Sequence, residues 1–157
     1  MKLDKLDKKI ICALQSNGRA SVETIAAAVG LTPTPTRRRI KRLEEQGAIT
    51  GYAAIVDPAK CGLTLTVYVF VRLERRNRKT IDGFERAIKR LDEIVRCDLV
   101  SGSFDYMLML HLPSIEDYNR YLHAVISDIP GIAAIETSIV IGGVKASHKI
   151  ALFPREH

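Results

Sequence analysis

The sequence predicts an α+β chain in two parts, a unit of short helices followed by a sandwich of strands and helices in the order βαββαβ. Three observations carry this expectation. Apolar residues recur at helical spacing from Leu6 to Leu43, interrupted at Asn17-Gly18 and again at Gly30. "LTLTVYVFVRLE" (63–74) alternates strictly, with Leu63, Leu65, Val67, Val69, Val71 and Leu73 on one face and Thr64, Thr66, Tyr68, Phe70 and Arg72 on the other. Between these stretches, Asp57-Pro58 and Cys61-Gly62 break both periods. The expected division is residues 1–50 for the helical unit, 51–62 for a connecting hairpin and 63–157 for the sandwich.

The 157 residues suffice for one ordinary domain or two small ones, and 46% hydrophobic with 27% charged residues is a globular composition. The longest uncharged apolar-rich run, Leu63 to Val71, is far below the roughly 20 residues of a membrane span. "KLDKLDKK" after Met1 has no apolar segment behind it, so neither a signal peptide nor a membrane partner is expected, and the location expected is the cytoplasm. Cys12, Cys61 and Cys97 are odd in number and far apart, which predicts reduced, mostly buried thiols and no metal site. The net charge of +6 is unevenly spread. Residues 1–60 hold eleven Lys/Arg against six Asp/Glu, and the rest hold thirteen against twelve. That asymmetry predicts a polyanionic partner for the first part.

In the helical unit, Asp4 is placed to cap a helix that buries Leu6, Ile10, Ala13 and Leu14. Ser21 caps the next, with Glu23 in its first turn and Ile25, Ala28 and Val29 on its apolar side. Then comes "GLTPTPTRRRIKRLEEQG" (30–47), which sets two prolines directly against three arginines. The N–H groups of a helix's first turn have no intrahelical partner, so proline removes little there. Two registers are open, one with Thr32 as cap and Pro33 first, the other with Thr34 as cap and Pro35 first. In either, the helix runs to Gln46 and stops at Gly47. At about 100° per residue, Thr36, Ile40 and Leu43 share the buried face. Arg38, Lys41 and Thr34 lie opposite, Arg37 and Arg42 flank, and Arg39 sits nearer the buried margin.

Alone, such a helix could be a merely solvated basic face. After a short helix and a Gly-containing turn it becomes the second helix of a helix-turn-helix, which enters the major groove of DNA. The candidate DNA-binding residues are Thr32, Pro33, Thr34 and Thr36, as small contacts around free N–H groups, and Arg37, Arg38, Lys41 and Arg42, which can reach guanine edges or phosphates. "AITGYAAIVDP" (48–58) is expected to form two short strands, making the unit a winged helix-turn-helix.

In the second part, Ile81, Phe84, Ala87, Ile88 and Leu91 repeat at helical spacing. "IVRCDLVSGSFDYMLMLHLP" (94–113) predicts a hairpin turning at Gly102-Ser103. Ser114 caps a helix carrying Ile115, Tyr118, Leu122, Val125, Ile126 and Ile129, and Pro130-Gly131 leads into a strand from Ile132 to Ile141. "HKIALF" (148–153) is a candidate fifth strand. The order is that of a ferredoxin-like sandwich with both helices on one sheet face. The other face keeps Tyr68, Phe70 and a row of the Met107/Met109 strand. Covering it calls for a homodimer packed sheet to sheet, which also supplies two helix-turn-helix units for a palindromic duplex site.

The chain resembles the Lrp/AsnC (feast/famine) family of transcription regulators over essentially its whole length. The resemblance rests on "LDKLDKKIICALQSNGRAS", "VGLTPTPTRRRIKRLEEQGAITGY" and "VSGSFDYMLMLHLPSIEDY", which match in order the family's first helix, its recognition helix with wing, and its Gly-x-x-Asp hairpin. It implies a sequence-specific, nucleoid-associated regulator whose second domain is the regulator-of-amino-acid-metabolism (RAM) domain. That domain would dimerise, assemble into octamers and bind a free amino acid between dimers. The resemblance places the effector at Gly102, Ser103, Phe104 and Asp105 of the hairpin and at Thr137, Ser138 and Ile139 of the last strand. Leucine or another small amino acid is the implied effector, with no other cofactor. Asp105 would pair the α-ammonium and hairpin N–H groups the carboxylate; its alternative role is to stabilise the turn. Two departures stand out: Ser103 where an acidic residue commonly follows the glycine, and Gly142-Gly143 where an acidic pair is common. The rival functions are an effector-blind architectural DNA protein and a haem-precursor decarboxylase of the same two-domain form. The basic helix disfavours the enzyme, as do His111, His123, His148 and His157, scattered without metal or nucleophile spacing.

Overall fold

A computed structural model describes residues 2–153 of the chain, so His157 lies outside the described residues. Contacts divide the chain into two units. Ile55 closes the first, the segment from Lys145 onward returns to it, and Val56–Val144 make the second. This division differs from the expected breaks at 51 and 63, with the C-terminal segment in the sandwich.

The first unit contains α1 (Lys5–Ser16), α2 (Val22–Val29) and α3 (Pro33–Glu45). Asp4 caps α1 through a reciprocal pair: the Asp7 N–H donates to Asp4 Oδ1 at 2.8 Å and the Asp4 N–H to Asp7 Oδ2 at 3.1 Å. Ser21 caps α2, accepting from the Thr24 N–H at 3.1 Å. Gly30 follows in the left-handed conformation, φ 74°, which lets the Leu31 N–H return to the Ala26 carbonyl at 2.9 Å and turns the chain into α3. The buried side chains are Ile10, Ile25, Val29 and Leu43, with Leu14, Leu31, Ile40 and Ile49 packed around them. Ala26 is buried where Ala28 was expected, and Ala28 is exposed. A helix of eight residues turns one narrow face inward, and the pair beside Ile25 falls on it.

Two expected strand segments are absent. Residues 48–58 contain no strand. The Ala48 and Ile49 N–H groups both bond to the Leu43 carbonyl, at 2.9 and 3.1 Å, and Tyr52 Oη donates to Glu44 at 2.8 Å. The chain folds back on the end of α3, so these backbone donors are used before a hairpin can form. Residues 148–153 also form no strand and join no sheet edge. The Gln15 side chain pairs with the backbone of Ile150 on both sides, accepting from its N–H at 2.5 Å and donating to its carbonyl at 3.2 Å. Lys149 Nζ reaches Ser16 at 3.2 Å, and Lys8 Nζ stands 5.7 Å over the Phe153 ring.

The second unit holds β1 (Leu65–Leu73), α4 (Arg78–Ile88), β2 (Ile94–Leu99), β3 (Tyr106–Leu112), α5 (Ile115–Tyr121) and β4 (Ile132–Ile139). The sheet is fully antiparallel in the order β2-β3-β1-β4, the ferredoxin-like arrangement. One face buries Val67, Val69, Val71, Tyr106, Leu108 and Leu110 against Phe84 and Ile88 of α4 and Tyr118, Ile126 and Ile129 from the α5 side. α5 runs on as a π turn, Leu122–Ile126, in which the Ser127 N–H reaches the Leu122 carbonyl at 2.9 Å. This wider turn buries Ile126 completely but leaves Leu122 and Val125 half-buried, which a regular helix would not predict; Ile115, at the start of α5, is exposed. β4 ends two residues earlier than expected, at Ile139, and Ile141 is exposed. On the outer sheet face, Tyr68 pairs with Met109 and Phe70 with Met107, and the Phe104 ring lies 5.7 Å from that of Phe70. All five are half-buried in the single chain. Cys97 is half-buried and burial pushes its thiol up to about 11, Cys12 is half-buried, and Cys61 is exposed, against the expectation that the thiols are mostly buried.

Candidate nucleic-acid interface and effector hairpin

α3 takes the register with Thr32 as cap and Pro33 first. Pro33 and Pro35 have no N–H, so of the four unpaired positions at the start of α3 only Thr32 and Thr34 carry a donor, and the anion-binding N–H cluster expected there shrinks to two groups. Thr32 makes no side-chain cap, and its hydroxyl is exposed with that of Thr34. Pro33, Thr34, Arg37, Arg38 and Lys41 line one shallow concavity on the outside of the helix. Arg37 has a distant contact to Glu23 (3.9 Å) and Lys41 one to Glu45 (3.6 Å), both solvent-exposed and weak. Arg38 has no carboxylate partner among the described residues.

Two of the expected DNA contacts are otherwise engaged. Thr36 is fully buried and its hydroxyl donates to the Thr32 carbonyl at 2.9 Å, as its place beside Ile40 and Leu43 on the inner face requires. Arg42 Nη2 donates to both oxygens of the buried Asp7 at 2.7 Å. Arg39, predicted to lean inward, completes the cluster, reaching Asp7 at 2.7 Å and Asp4 at 2.6 Å. Hydrogen bonds from the Asp7 N–H, then from Arg39, hold the Asp4 carboxyl below its usual range, and the same pairing raises the Arg39 guanidinium. The reading of the sequence missed Asp7, although its spacing three residues after Asp4 was the available signal.

In the second unit the hairpin residues have definite roles. Asp105 is buried, its Oδ2 accepting the Leu73 N–H at 2.8 Å and its Oδ1 meeting Arg76 Nε at 2.6 Å. Its backbone is tied as well, N–H to the Val71 carbonyl and carbonyl to the Val100 N–H, both at 2.9 Å. Asp105 thus ties the hairpin to the end of β1. Gly102 and Ser103 are exposed, and among the described residues the N–H groups of Gly102, Ser103 and Phe104 bond to no backbone carbonyl. On β4, the Thr137 hydroxyl bonds that of Tyr118 on the helix side, whereas Ser138 lies opposite Tyr68 on the outer face and Ile139 opposite Val67. Asp105 meets β1 at Val71 and Leu73, but Thr137 to Ile139 meet it at Val69 to Val67, roughly 7–20 Å along the strand and on the opposite edge of β1. One chain does not bring the two halves of this candidate site together. Among the described residues there is no cluster of His, Cys, Asp and Glu able to hold a metal, and no helix is long and apolar enough to cross a membrane.

Comparison with known proteins agrees with this geometry. The AsnC-type helix-turn-helix domain matches residues 3–44, and the Lrp/AsnC ligand binding domain matches residues 66–150. The chain is 37% identical to the leucine-responsive regulatory protein of Escherichia coli K12 over 153 residues, 98% of this chain and 93% of that protein. A transcriptional regulator of Neisseria meningitidis, solved as its L-Met complex, superposes with a TM-score of 0.90 at 27% identity, over 95% of this chain and 96% of that one. An AsnC family transcriptional regulator of Agrobacterium tumefaciens superposes at 0.88 with 30% identity, over 94% and 96%. With a basic helix-turn-helix in one unit and a ferredoxin-like ligand-binding sandwich in the other, the chain belongs to the Lrp/AsnC family of transcription regulators.

Proposed function

We propose that the chain controls transcription in the cytoplasm, at the nucleoid, as a non-enzymatic homodimer that grips a palindromic duplex site through two copies of α3. The observation that carries this is the exposed row of Thr34, Arg37, Arg38 and Lys41, backed by two arginines clamped to Asp4 and Asp7. A helix so held presents its outer face without the backbone first having to order. The half-buried Tyr68, Phe70, Met107 and Met109 support sheet-to-sheet dimerisation, and octamers are the assembly we expect above the dimer.

An apolar amino acid is the proposed effector, leucine or another small one, since the relatives include a leucine-responsive protein and a methionine complex. Its carboxylate would meet the N–H groups of Gly102 to Phe104, and its ammonium would compete with Arg76 for Asp105. Arg76 is the displaceable partner, because it is largely exposed while the Leu73 N–H is not. Thr137, Ser138 and Ile139 would come from another copy. A thermal-shift screen against the twenty amino acids tests this: a ligand at about 100 times its Kd adds about 2.7 kcal/mol. One observation favours a second reading, an architectural DNA protein without effector: both Asp105 oxygens are already engaged. A screen with no hit selects it.

A further inference from the structure

The second unit carries a concentration of positive charge that none of the functions above uses. Lys79, Gly83 and Arg86 follow one another at i, i+4 and i+7 along α4, opposite the buried Phe84 and Ile88, and Arg90 stands in the turn that ends the helix. With Arg75 from the loop after β1, these cations line an open groove of about 680 Å³. Glu74 is its single carboxylate.

Two features make the groove more than a solvated helix face. The first is charge. Arg75, Lys79, Arg86 and Arg90 have no carboxylate partner among the described residues, whereas Arg76, Arg78, Arg96 and Arg120 of the same unit pair with Asp105, Asp82, Asp98 and Asp117. Lys60, Arg72 and Lys89 of this unit are unpaired too among the described residues, but they stand apart from the groove, which alone gathers four unpaired cations along one surface. The second is shape. Gly131, at φ 89°, comes so close to α4 that a Cβ there would stand 2.6 Å from Thr80 Cγ2, and its carbonyl takes the Glu74 N–H at 2.9 Å. This contact sets the groove's wall. Gly83 leaves its centre clear: a Cβ there would meet nothing within 4 Å. Glycine within an exposed helix costs about 1 kcal/mol relative to alanine, so local helix stability does not account for it.

We propose that this groove is a second DNA contact, taking backbone phosphates of a duplex that extends beyond the segment read by α3. The proposal rests on the DNA-binding role of α3. The charged row from Lys79 to Arg90 runs roughly 16 Å at 1.5 Å per residue, longer than one phosphate group and matched to several along a strand spaced about 3.4 Å apart in axial rise. The groove is open along its length and no aromatic side chain lines it, so it offers neither the enclosure of a small-molecule pocket nor a surface for stacking bases. Its contacts would position DNA and read no sequence.

The test uses the full chain, as wild type, Arg86→Ala/Arg90→Ala, Gly83→Glu and Arg38→Ala, binding two duplexes across a range of salt. One duplex holds the operator alone; the other extends it by several helical turns. The double variant and Gly83→Glu should each bind the long duplex roughly tenfold more weakly, and the double variant should flatten the salt slope by roughly 1–2, at about 0.9 per phosphate. Both should bind the short duplex as wild type does, with unchanged melting temperature and oligomer size. Gly83→Glu guards against a folding artefact, since its side chain enters open space. Wild-type affinity and slope on the long duplex overturn the proposal, and a simultaneous loss in Arg38→Ala shows that α3 still reads DNA. Unchanged binding by Arg38→Ala removes the α3 reading instead. If inorganic pyrophosphate stabilises wild type but not the double variant, and the DNA slopes agree, the groove is a small-anion site and the proposal fails.

Discussion

Arg42 donates from one nitrogen to both carboxylate oxygens of Asp7, at 2.7 Å each, and so fastens α3 to α1. Asp7 is buried, and its other contacts come from Arg39 and the Asp4 N–H. Thr36 and Arg42, two of the eight positions expected to contact DNA, are therefore part of the framework that aims the rest. Arg42→Ala should cost about 1–3 kcal/mol, because Asp7 stays buried with one charged partner fewer. Thermal unfolding checks this, and its DNA affinity should fall only in step with stability.

Arg38→Ala is expected to separate the two effects in the opposite sense. Arg38 is exposed and has no carboxylate partner among the described residues, so its loss should leave the melting temperature and oligomer size in place. Operator affinity should drop by about 1–3 kcal/mol, measured by gel shift at fixed moderate salt. Unchanged affinity would place this side chain outside the interface.

Asp105 calls for a finer substitution than truncation. Asp105→Ala leaves the buried Leu73 N–H without an acceptor and should destabilise the unit by about 1–3 kcal/mol whether or not an effector binds there. Asp105→Asn keeps an acceptor for Leu73 and removes the charge that Arg76 or an ammonium group would share. Loss of the amino-acid thermal shift in Asp105→Asn, with basal DNA binding retained, is the expected result; an undiminished shift would exclude this carboxylate from the site.

Acid should loosen the first unit through Asp4. Its carboxyl titrates below the ordinary range because it accepts from the Asp7 N–H and pairs with Arg39. A depressed carboxyl stabilises the fold fully above its unfolded value of about 4 and loses that stabilisation as pH falls through the lower folded value. Unfolding midpoints recorded downward from about pH 5 should therefore fall more steeply for wild type than for Asp4→Asn.

Gln15 makes the two hydrogen bonds that tie α1 to the backbone of the C-terminal segment. Gln15→Ala removes both of its hydrogen bonds to Ile150 and should speed amide exchange at Ile150 several-fold, an opening of about 0.5–1.5 kcal/mol. Exchange rates in the α3 core, around Leu43, should stay as they are.

Much of the architecture was legible because it depends on local chemistry. The alternation of Leu65 to Leu73 specifies a strand with one buried face. Asp4, Ser21 and Ser114 each cap the helix they precede. The outward Arg38 and Lys41 and the inward Arg39 follow from helical angle alone. Asp105 was visible as a residue of interest but not as a buried anchor, since its partner Arg76 lies in a loop that no periodicity places. Alternation also failed at residues 48–58, where a run with strand character wraps onto the end of α3 because the Leu43 carbonyl captures two of its N–H groups.

What the sequence by itself determined, then, is the kind of each element, its order and the side it buries, because caps, prolines and apolar period act over three or four residues. Which charges stay available was decided by tertiary structure. Arg42 and Arg38 belong to the same helix and carry the same charge. One is consumed by Asp7, 35 residues away in sequence, and the other is left for a partner. Arg76 is likewise spent on Asp105, while Arg75 beside it is not. Pairing over such separations depends on the packing of whole elements, and packing is where the two arginines of each pair part company.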